Sequence, residues 1–157
     1  MELKDTMLNI RRKNGLTQEE FAGKLFVRRQ AVSRWENGET TPTLDTLKKV
    51  SELFNADAGV LLGLKETPVC QSCAMPLKNL GDFGTDADDT ANTDYCGYCF
   101  KSGGFTHDRT IDEMIESNLK FLNEFNAGNG TNYTADEARN ILKLHLATLK
   151  RWKGTGK

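Results

Sequence analysis

Long apolar runs are absent from this sequence of 157 residues. No segment approaches the roughly 20 apolar residues of a membrane-spanning helix, and none follows the first residues in the way that a secretion signal would. We therefore expect no contact with a membrane and a cytoplasmic location.

A dominant charge and a catalytic constellation are also lacking. The 21 basic and 22 acidic side chains leave a net charge of −1, which as a whole favours neither nucleic acid nor membrane as a partner. His107 and His145 are the only histidines. Because no Ser/His/Asp or Cys/His arrangement accompanies them, the sequence does not predict an enzyme. We interpret His145, within a predicted helix, as a surface or packing residue.

Only four cysteines occur, and they form two Cys-x-x-Cys pairs: Cys70 with Cys73, and Cys96 with Cys99. The 22 residues between the pairs slightly exceed the roughly 15–20 of typical four-cysteine zinc sites. Each pair offers two thiolates about one tight turn apart, which suits a tetrahedral Zn²⁺ ion. Four thiolates close the coordination sphere, so the sequence predicts a structural rather than a catalytic zinc site.

Other interpretations of the cysteines stay open. In a reducing compartment an even cysteine count favours a metal over disulfides. A thioredoxin-like motif would need one pair between a buried strand and a helix, whereas Cys70 follows Pro68 and a short linker. His107 can replace a cysteine ligand, but four cysteines already suffice. The same four ligands suit iron as well as zinc, and Lys78 or Lys101 can offset their negative charge.

Residues 1–63 predict five short helices with apolar residues at helical spacing. Thr17 and Glu20 form a capping box at the start of the second helix, and Gly38 ends the third. Thr43 and Asp57 are candidate caps of the fourth and fifth helices. The second and third helices, joined by a short turn, have the shape of a helix-turn-helix.

The third predicted helix carries basic and amide side chains, with no acid among residues 28–35. These residues are Arg28, Arg29, Gln30, Ser33 and Arg34. In the major groove, arginine can pair with guanine O6 and N7, and glutamine with adenine N6 and N7. A solvated basic helix face is the alternative, since most runs of charge are only that.

This part of the chain resembles the Cro/C1-type (XRE) helix-turn-helix family. The residues that carry the resemblance are LTQEEFA at 16–22, QAVSRWENG at 30–38 and PTL at 42–44. The resemblance implies that the third helix lies in the major groove while the second crosses the DNA backbone. It also implies an ion pair between Arg11 and Glu36, and a core position for Trp35.

Motif position assigns expected contacts with DNA. The resemblance makes Arg29, Gln30, Ser33 and Arg34 candidates for base contacts. It makes Gln18 and Asn37 candidates for phosphate contacts. Arg28 replaces the usual Ser or Thr cap, and an arginine there can reach a phosphate.

One further position departs from the family. Phe26 stands in the turn where the family usually carries glycine, so the turn differs or the ring packs against something else. This departure affects which residues of the third helix would face which bases, but it does not change the class of domain.

The second half resembles the zinc-ribbon domain found in bacterial proteins. The residues that carry this resemblance are CQSCAMPL at 70–77, DFGT at 82–85, DYCGYC at 94–99, GFT at 104–106, EMI at 113–115 and TLKRWK at 148–153. Ala74 stands where we expect glycine after the first cysteine pair. The resemblance implies a zinc module but says little about its role.

Together these patterns predict a mainly α protein. A five-helix lambda-repressor-like helix-turn-helix domain occupies residues 1–64, a linker 65–69, and a zinc ribbon with a C-terminal helical pair 70–157. The first helix of that pair is predicted to run from Ile111 to Phe125, and the second from Thr134 through Trp152. Basic residues near the end of the second suit the negative end of a helix dipole better than DNA: Lys143, Lys150, Arg151 and Lys153.

We therefore predict a sequence-specific transcriptional regulator with Zn²⁺ as cofactor and double-stranded DNA as partner, associated with the nucleoid when bound. The family resemblance alone implies a homodimer, and an effector could bind the C-terminal domain. A zinc- or thiol-redox-responsive regulator is the alternative, because thiolates near basic groups are oxidisable. A small thiol-redox enzyme is less favoured.

Overall fold

A computed structural model describes residues 1–154 of the chain, with eight helices and four short strands. The helices are α1 Leu3–Lys13, α2 Gln18–Leu25, α3 Arg29–Asn37, α4 Leu44–Phe54, α5 Ala58–Leu62, α6 Ile111–Leu119, α7 Leu122–Asn129 and α8 Ala135–Leu146. The strands are β1 Phe83–Thr85, β2 Ala91–Cys96, β3 Phe100–Lys101 and β4 Gly104–Phe105. The predicted mainly α class is confirmed. None of these helices combines the length and the apolar character needed to cross a bilayer.

Local capping explains where the first helices begin. The Thr17 hydroxyl accepts from the Glu20 amide, and the Glu20 carboxylate accepts from the Thr17 amide, as the capping box predicts. The Thr43 hydroxyl accepts from the Thr46 amide at the start of α4, and the Asp57 carboxylate accepts from the Gly59 and Val60 amides at the start of α5. The helices bury one shared apolar cluster: Met7, Phe21, Leu25, Val32, Trp35, Leu47, Val50 and Leu61. Because α2 and α3 pack directly on each other, the predicted helix-turn-helix is present.

The cysteine region is built from two small antiparallel sheets. Strand β1 pairs with β2, with an irregularity between Phe83 and Gly84. The second cysteine pair makes the turn from β2 into β3, and β3 pairs with β4. A side chain at Gly84 would clash with the carbonyl oxygen of Phe100, so the close approach of the strands requires glycine there.

The C-terminal region differs from the prediction in two respects. The helix predicted from Ile111 to Phe125 is two helices, since α6 ends at Leu119 and α7 begins at Leu122. The prediction that the last helix reaches Trp152 is also wrong, because α8 ends at Leu146. Beyond it the chain turns so that Leu149 and Trp152 become buried. Tertiary packing therefore ends this helix.

The two halves of the chain are in contact. The Leu44 amide at the start of α4 donates to the Asp89 carbonyl oxygen at 2.9 Å. Helix α4 also packs beside the short 3₁₀ turn at Leu80–Asp82. Apolar residues of both halves belong to one continuous cluster, so the cysteine region supports the helical domain directly.

Candidate nucleic-acid interface and metal centre

Helix α3 has one buried side and one open side. Val32 and Trp35 anchor it in the core, with 0% and 7% of their surface exposed. The predicted DNA-contacting residues lie on the opposite side: Arg28, Arg29, Gln30, Arg34 and Asn37 are exposed, and Ser33 is half-buried. The structure therefore brings all the predicted contacts of this helix to one open surface.

The positive charge on this surface is not neutralised by any part of the chain that the structure describes. No salt bridge in residues 1–154 involves Arg28, Arg29 or Arg34. Arg28 occupies the N-cap position of α3 but its side chain makes no capping hydrogen bond. Its guanidinium is thus available to an anion beside the helix, although the domain as a whole has balanced charge.

A partly buried ion pair holds the helices that present this surface. The Arg11 Nε and Nη2 atoms donate to the two Glu36 carboxylate oxygens at 2.5 and 2.9 Å, which confirms the expected pair. Burial raises the pKa of Glu36, but hydrogen bonds from Arg11 and Gln18 outweigh it and hold that pKa below its ordinary value. The Gln18 amide nitrogen donates to Glu36 at 2.9 Å. Glu36 thereby orients the side chain predicted to contact phosphate.

Phe26 occupies the turn between α2 and α3 in the left-handed conformation, with φ of 57°. Its ring is 86% exposed, and the Lys49 ammonium lies 5.7 Å from the ring centroid. The turn therefore keeps the backbone shape for which glycine is suited, and the ring finds no apolar pocket. A non-glycine residue in this region carries conformational strain.

The four cysteines converge although the two pairs are far apart in sequence. Their Sγ atoms all lie within 4.8 Å of one another. Cys70, Cys96 and Cys99 are buried, and Cys73 is half-buried. The Cys96 amide donates to the Cys70 sulfur at 3.3 Å, which places a backbone donor beside a thiolate. Within the described residues this cluster contains no histidine, so His107 is not part of it.

These dimensions fit a tetrahedral zinc ion. With zinc–sulfur bonds of about 2.3 Å, neighbouring sulfurs of a tetrahedron lie about 3.8 Å apart. The Cys73 and Cys96 sulfurs are 3.8 Å apart, well beyond a disulfide bond. In the absence of a cation, hydrogen bonds from Cys73, Cys96 and Cys99 lower the pKa of Cys70, and the interaction with Cys70 raises the pKa of Cys73. Four clustered thiols do not all ionise unless a cation accompanies them.

The segment after α8 closes over the first cysteine pair. The Trp152 indole nitrogen donates to the Ser72 carbonyl oxygen at 2.7 Å. The Arg151 guanidinium donates to the Ser72 hydroxyl at 3.0 Å and to the His107 carbonyl oxygen at 2.7 Å. We call residues 150–152 the C-terminal clamp. The Arg151 guanidinium places positive charge beside the turn of the first cysteine pair.

Further contacts complete the clamp. The Arg151 amide donates to the backbone carbonyl oxygen of Gln71 at 3.1 Å. The Lys150 amide donates to the side-chain oxygen of Gln71 at 3.3 Å. The Lys150 ammonium pairs with Asp94 at 2.7 Å. The Arg151 guanidinium stacks on Phe105, 4.1 Å from its centroid. Reasoning from helix periodicity missed this role, but the TLKRWK match at 148–153 was a signal for it.

Family comparisons agree with this geometry. Residues 69–153 match the family described as "Putative zinc ribbon domain", which covers more than half of the chain. The chain belongs to this family. Residues 7–61 match the family described as "Helix-turn-helix", so this zinc-ribbon family member also carries the XRE-type domain that the resemblance predicted. No solved structure matches the chain significantly.

Two curated relatives are named as transcriptional regulators. The HTH-type transcriptional activator BcrR of Enterococcus faecalis is 36% identical over 66 residues, which are 42% of this chain and 32% of the relative. The HTH-type transcriptional regulator ImmR of Bacillus subtilis is 26% identical over 126 residues, which are 79% of this chain and 96% of the relative. The chain thus spans about a third of the activator and nearly all of ImmR.

Proposed function

We propose that this protein is a sequence-specific DNA-binding transcriptional regulator that reads the major groove with α3. The observation that carries the proposal is the open face of α3, where a glutamine and three arginines that form no salt bridge within residues 1–154 lie opposite the buried Val32 and Trp35. Similarity to two proteins named as HTH-type transcriptional regulators supports it.

The proposed contacts divide by their position on the helix. Arg29, Gln30, Ser33 and Arg34 contact base edges, where arginine and glutamine make paired hydrogen bonds. Arg28, Asn37 and Gln18 contact phosphates and set the register of the helix. Since the charges of the domain are balanced overall, this local basic face supplies the attraction to DNA.

The four cysteines hold Zn²⁺ in a structural role in this proposal. Bound zinc would supply a cross-link between the two cysteine turns, and four protein ligands leave no coordination position for a substrate. The helix-turn-helix domain then extends over 1–64, the linker over 65–69, and the zinc-bearing domain over 70–157. The regulator acts as a homodimer.

A zinc- or redox-responsive regulator is the second candidate, favoured by one observation. Cys73 is half-buried while the other three cysteines are buried, so an oxidant has access to one ligand. Peroxide would then oxidise the cysteine ligands, release zinc and, at the same time, change the affinity of the protein for DNA. If peroxide changes neither the zinc content nor the affinity, this candidate is eliminated.

Selection of bound duplexes from a random DNA library tests the main proposal. The full chain, with its metal content measured, is selected with and without a chelator. An enriched palindromic motif supports a dimeric sequence-specific regulator, and its loss on chelation couples the metal to DNA binding. No enrichment in either condition contradicts the proposal.

A further inference from the structure

Residues far along the chain hold the backbone of the first cysteine turn. The carbonyl oxygens of Gln71, Ser72 and Cys73 each accept a hydrogen bond from the last third of the chain. The C-terminal clamp donates to the first two of these oxygens. The third accepts from α6, where the Asn118 side-chain nitrogen lies 2.9 Å from the Cys73 carbonyl oxygen. Two separate elements therefore fix the backbone beside a proposed metal ligand.

The residue that follows this turn shows why the hydrogen bond from α6 matters. Ala74 has a left-handed φ of 66°. This conformation is strained in a residue with a Cβ atom. The peptide group between Cys73 and Ala74 carries the carbonyl oxygen to which Asn118 donates. Because a change of φ at Ala74 would rotate that peptide group, the bond from Asn118 opposes relaxation of the turn and keeps the Cys73 backbone in place.

Helix α6 is a firm support for this donor. Its Met114 and Ile115 side chains are buried, with 3% and 2% of their surface exposed, and α6 packs on α8. Asn118 lies one turn after Met114 and is half-buried, as is Cys73, which is the least buried of the four cysteines. A side chain on a packed helix is held in few orientations, so its donor is pre-organised. Helix α6 thus supports the cysteine that the rest of the described chain covers least.

We propose that Asn118 is a positioning residue of the metal centre and that it couples the docking of α6 to the affinity for zinc. The inference rests on the proposed structural zinc site and adds to it a residue from outside the cysteine region. Hydrogen bonds of this kind, made to the surroundings of a ligand and not to the metal, orient the ligand. Because a coupling between two equilibria is reciprocal, removal of zinc should in turn loosen α6.

Zinc transfer from the full-length protein to a chelator of known affinity tests the role of the side chain. Asn118→Asp keeps the shape of the side chain but removes its N–H donor, and Asn118→Ala removes the group altogether. Asn123→Asp is the matched control, because it makes the same replacement at an exposed position of α7. Circular dichroism verifies that every variant keeps the helix content of wild type.

Both Asn118 variants should bind zinc about 10-fold more weakly than wild type, which is the lower end of the effect of contacts around a metal ligand. Asn123→Asp should behave as wild type. Asn118 variants that retain zinc as tightly as wild type would overturn the inference.

A second substitution separates positioning of the turn from packing of α6. Glycine adopts the left-handed conformation without strain, so Ala74→Gly should make the turn less dependent on Asn118. The loss of zinc affinity caused by Asn118→Ala should then be clearly smaller in the Ala74→Gly background than in wild type. An equal loss in both backgrounds would show that Asn118 acts only through the packing of its helix, and would contradict the positioning role.

Hydrogen exchange measures the reciprocal effect on α6. Amides of residues 111–119 in the wild-type protein should exchange faster after chelation, and Asn118→Ala should make this difference smaller. Exchange of α6 that does not depend on zinc would overturn the coupling. A wild-type chain that binds no zinc would contradict the proposed zinc site and the inference with it, whereas a zinc-bound wild type with unaffected Asn118 variants would contradict the inference alone.

Discussion

At the scale of single residues, Phe26 shows how a backbone shape persists without the residue that favours it. Its left-handed φ of 57° costs about 1–2 kcal/mol for a residue with a Cβ atom, and the exposed ring regains little by burial. Ala74 repeats the pattern after the first cysteine pair, with φ of 66° where the sequence led us to expect glycine. At both positions a residue other than glycine adopts the left-handed backbone conformation that favours glycine.

Phe26→Gly should therefore be more stable than Phe26→Ala by about 1 kcal/mol. Both substitutions remove the ring and its contact with Lys49, but only glycine relieves the backbone. The free energies of unfolding from urea titrations of the two variants measure the difference. Equal stabilities would show that the turn does not hold the left-handed shape in solution.

The ion pair between Glu36 and Arg11 should make the free energy of unfolding depend on pH in the acidic range. The pKa of Glu36 is lower in the folded state than in the unfolded state. The ionised carboxylate therefore stabilises the fold fully above the ordinary glutamate pKa of about 4.3, and this stabilisation is lost as the pH falls through the lower pKa of the folded state. Glu36→Gln should cost about 2 kcal/mol near pH 7 and show a shallower loss of stability towards pH 3.

Urea titrations from pH 7 to pH 3 check this expectation. Glu116→Gln serves as the control, since the Glu116–Arg139 pair is largely exposed and should contribute little to stability. A Glu36→Gln variant with the acid dependence of wild type would contradict the assignment.

At the scale of elements, α3 is expected to carry the sequence preference. Arg29→Ala or Gln30→Ala should each cost about 1–3 kcal/mol of affinity for the preferred site and relax the preference at one base pair. Gln18→Ala should weaken binding to all sequences about equally, because a phosphate contact carries no sequence information. Titrations with single-base variants of the selected site distinguish the two patterns. An unchanged preference in both α3 variants would mean that the register of the helix is different.

The C-terminal clamp is expected to control how tightly the metal is held. Arg151→Ala removes hydrogen bonds to Ser72 and His107 together with the stacking on Phe105. Contacts that orient a metal-binding turn affect metal affinity by about 10- to 100-fold, so zinc transfer to a competing chelator should become easier by about that factor.

Two further variants separate charge from geometry in the clamp. Lys153→Ala, at an exposed position one residue after Trp152, should leave zinc transfer unchanged. Arg151→Lys keeps the charge but not the paired hydrogen bonds and should lie between wild type and Arg151→Ala. If Lys153→Ala matches Arg151→Ala, general charge and not the clamp is responsible.

The elements that could be predicted from the sequence are those with local causes. A capping box such as Thr17 to Glu20 lies within four consecutive residues, and the spacing of a Cys-x-x-Cys pair is equally local. The break between α6 and α7 could not be predicted, because apolar residues continue at helical spacing through Leu119, Leu122 and Phe125. The contact between Ser72 and Trp152 joins residues 80 positions apart, which periodicity does not reveal.

At the scale of the whole molecule, the cysteine region and the helical domain share a hydrogen bond. The Leu44 amide at the first residue of α4 donates to the Asp89 carbonyl oxygen, in the loop between β1 and β2. Since β2 ends at Cys96, displacement of the proposed metal would loosen that loop and uncover the start of α4.

Hydrogen exchange with and without chelator measures this coupling. Peptides covering residues 40–47 should exchange faster when metal is removed, while peptides covering α2 should change little, because that helix is capped by its own Thr17. Equal protection of residues 40–47 in the two conditions would show that the halves are energetically independent.

The position of the clamp along the chain has a consequence for protein synthesis. Cys70 to Cys99 leave the ribosome well before Arg151 and Trp152, so the nascent chain has all four sulfur ligands while the turn around Ser72 still lacks its cover. A product that stops before residue 151 keeps every ligand but lacks the contacts that hold the first turn. Firm retention of metal would thus distinguish chains that include the clamp from chains that were terminated before it.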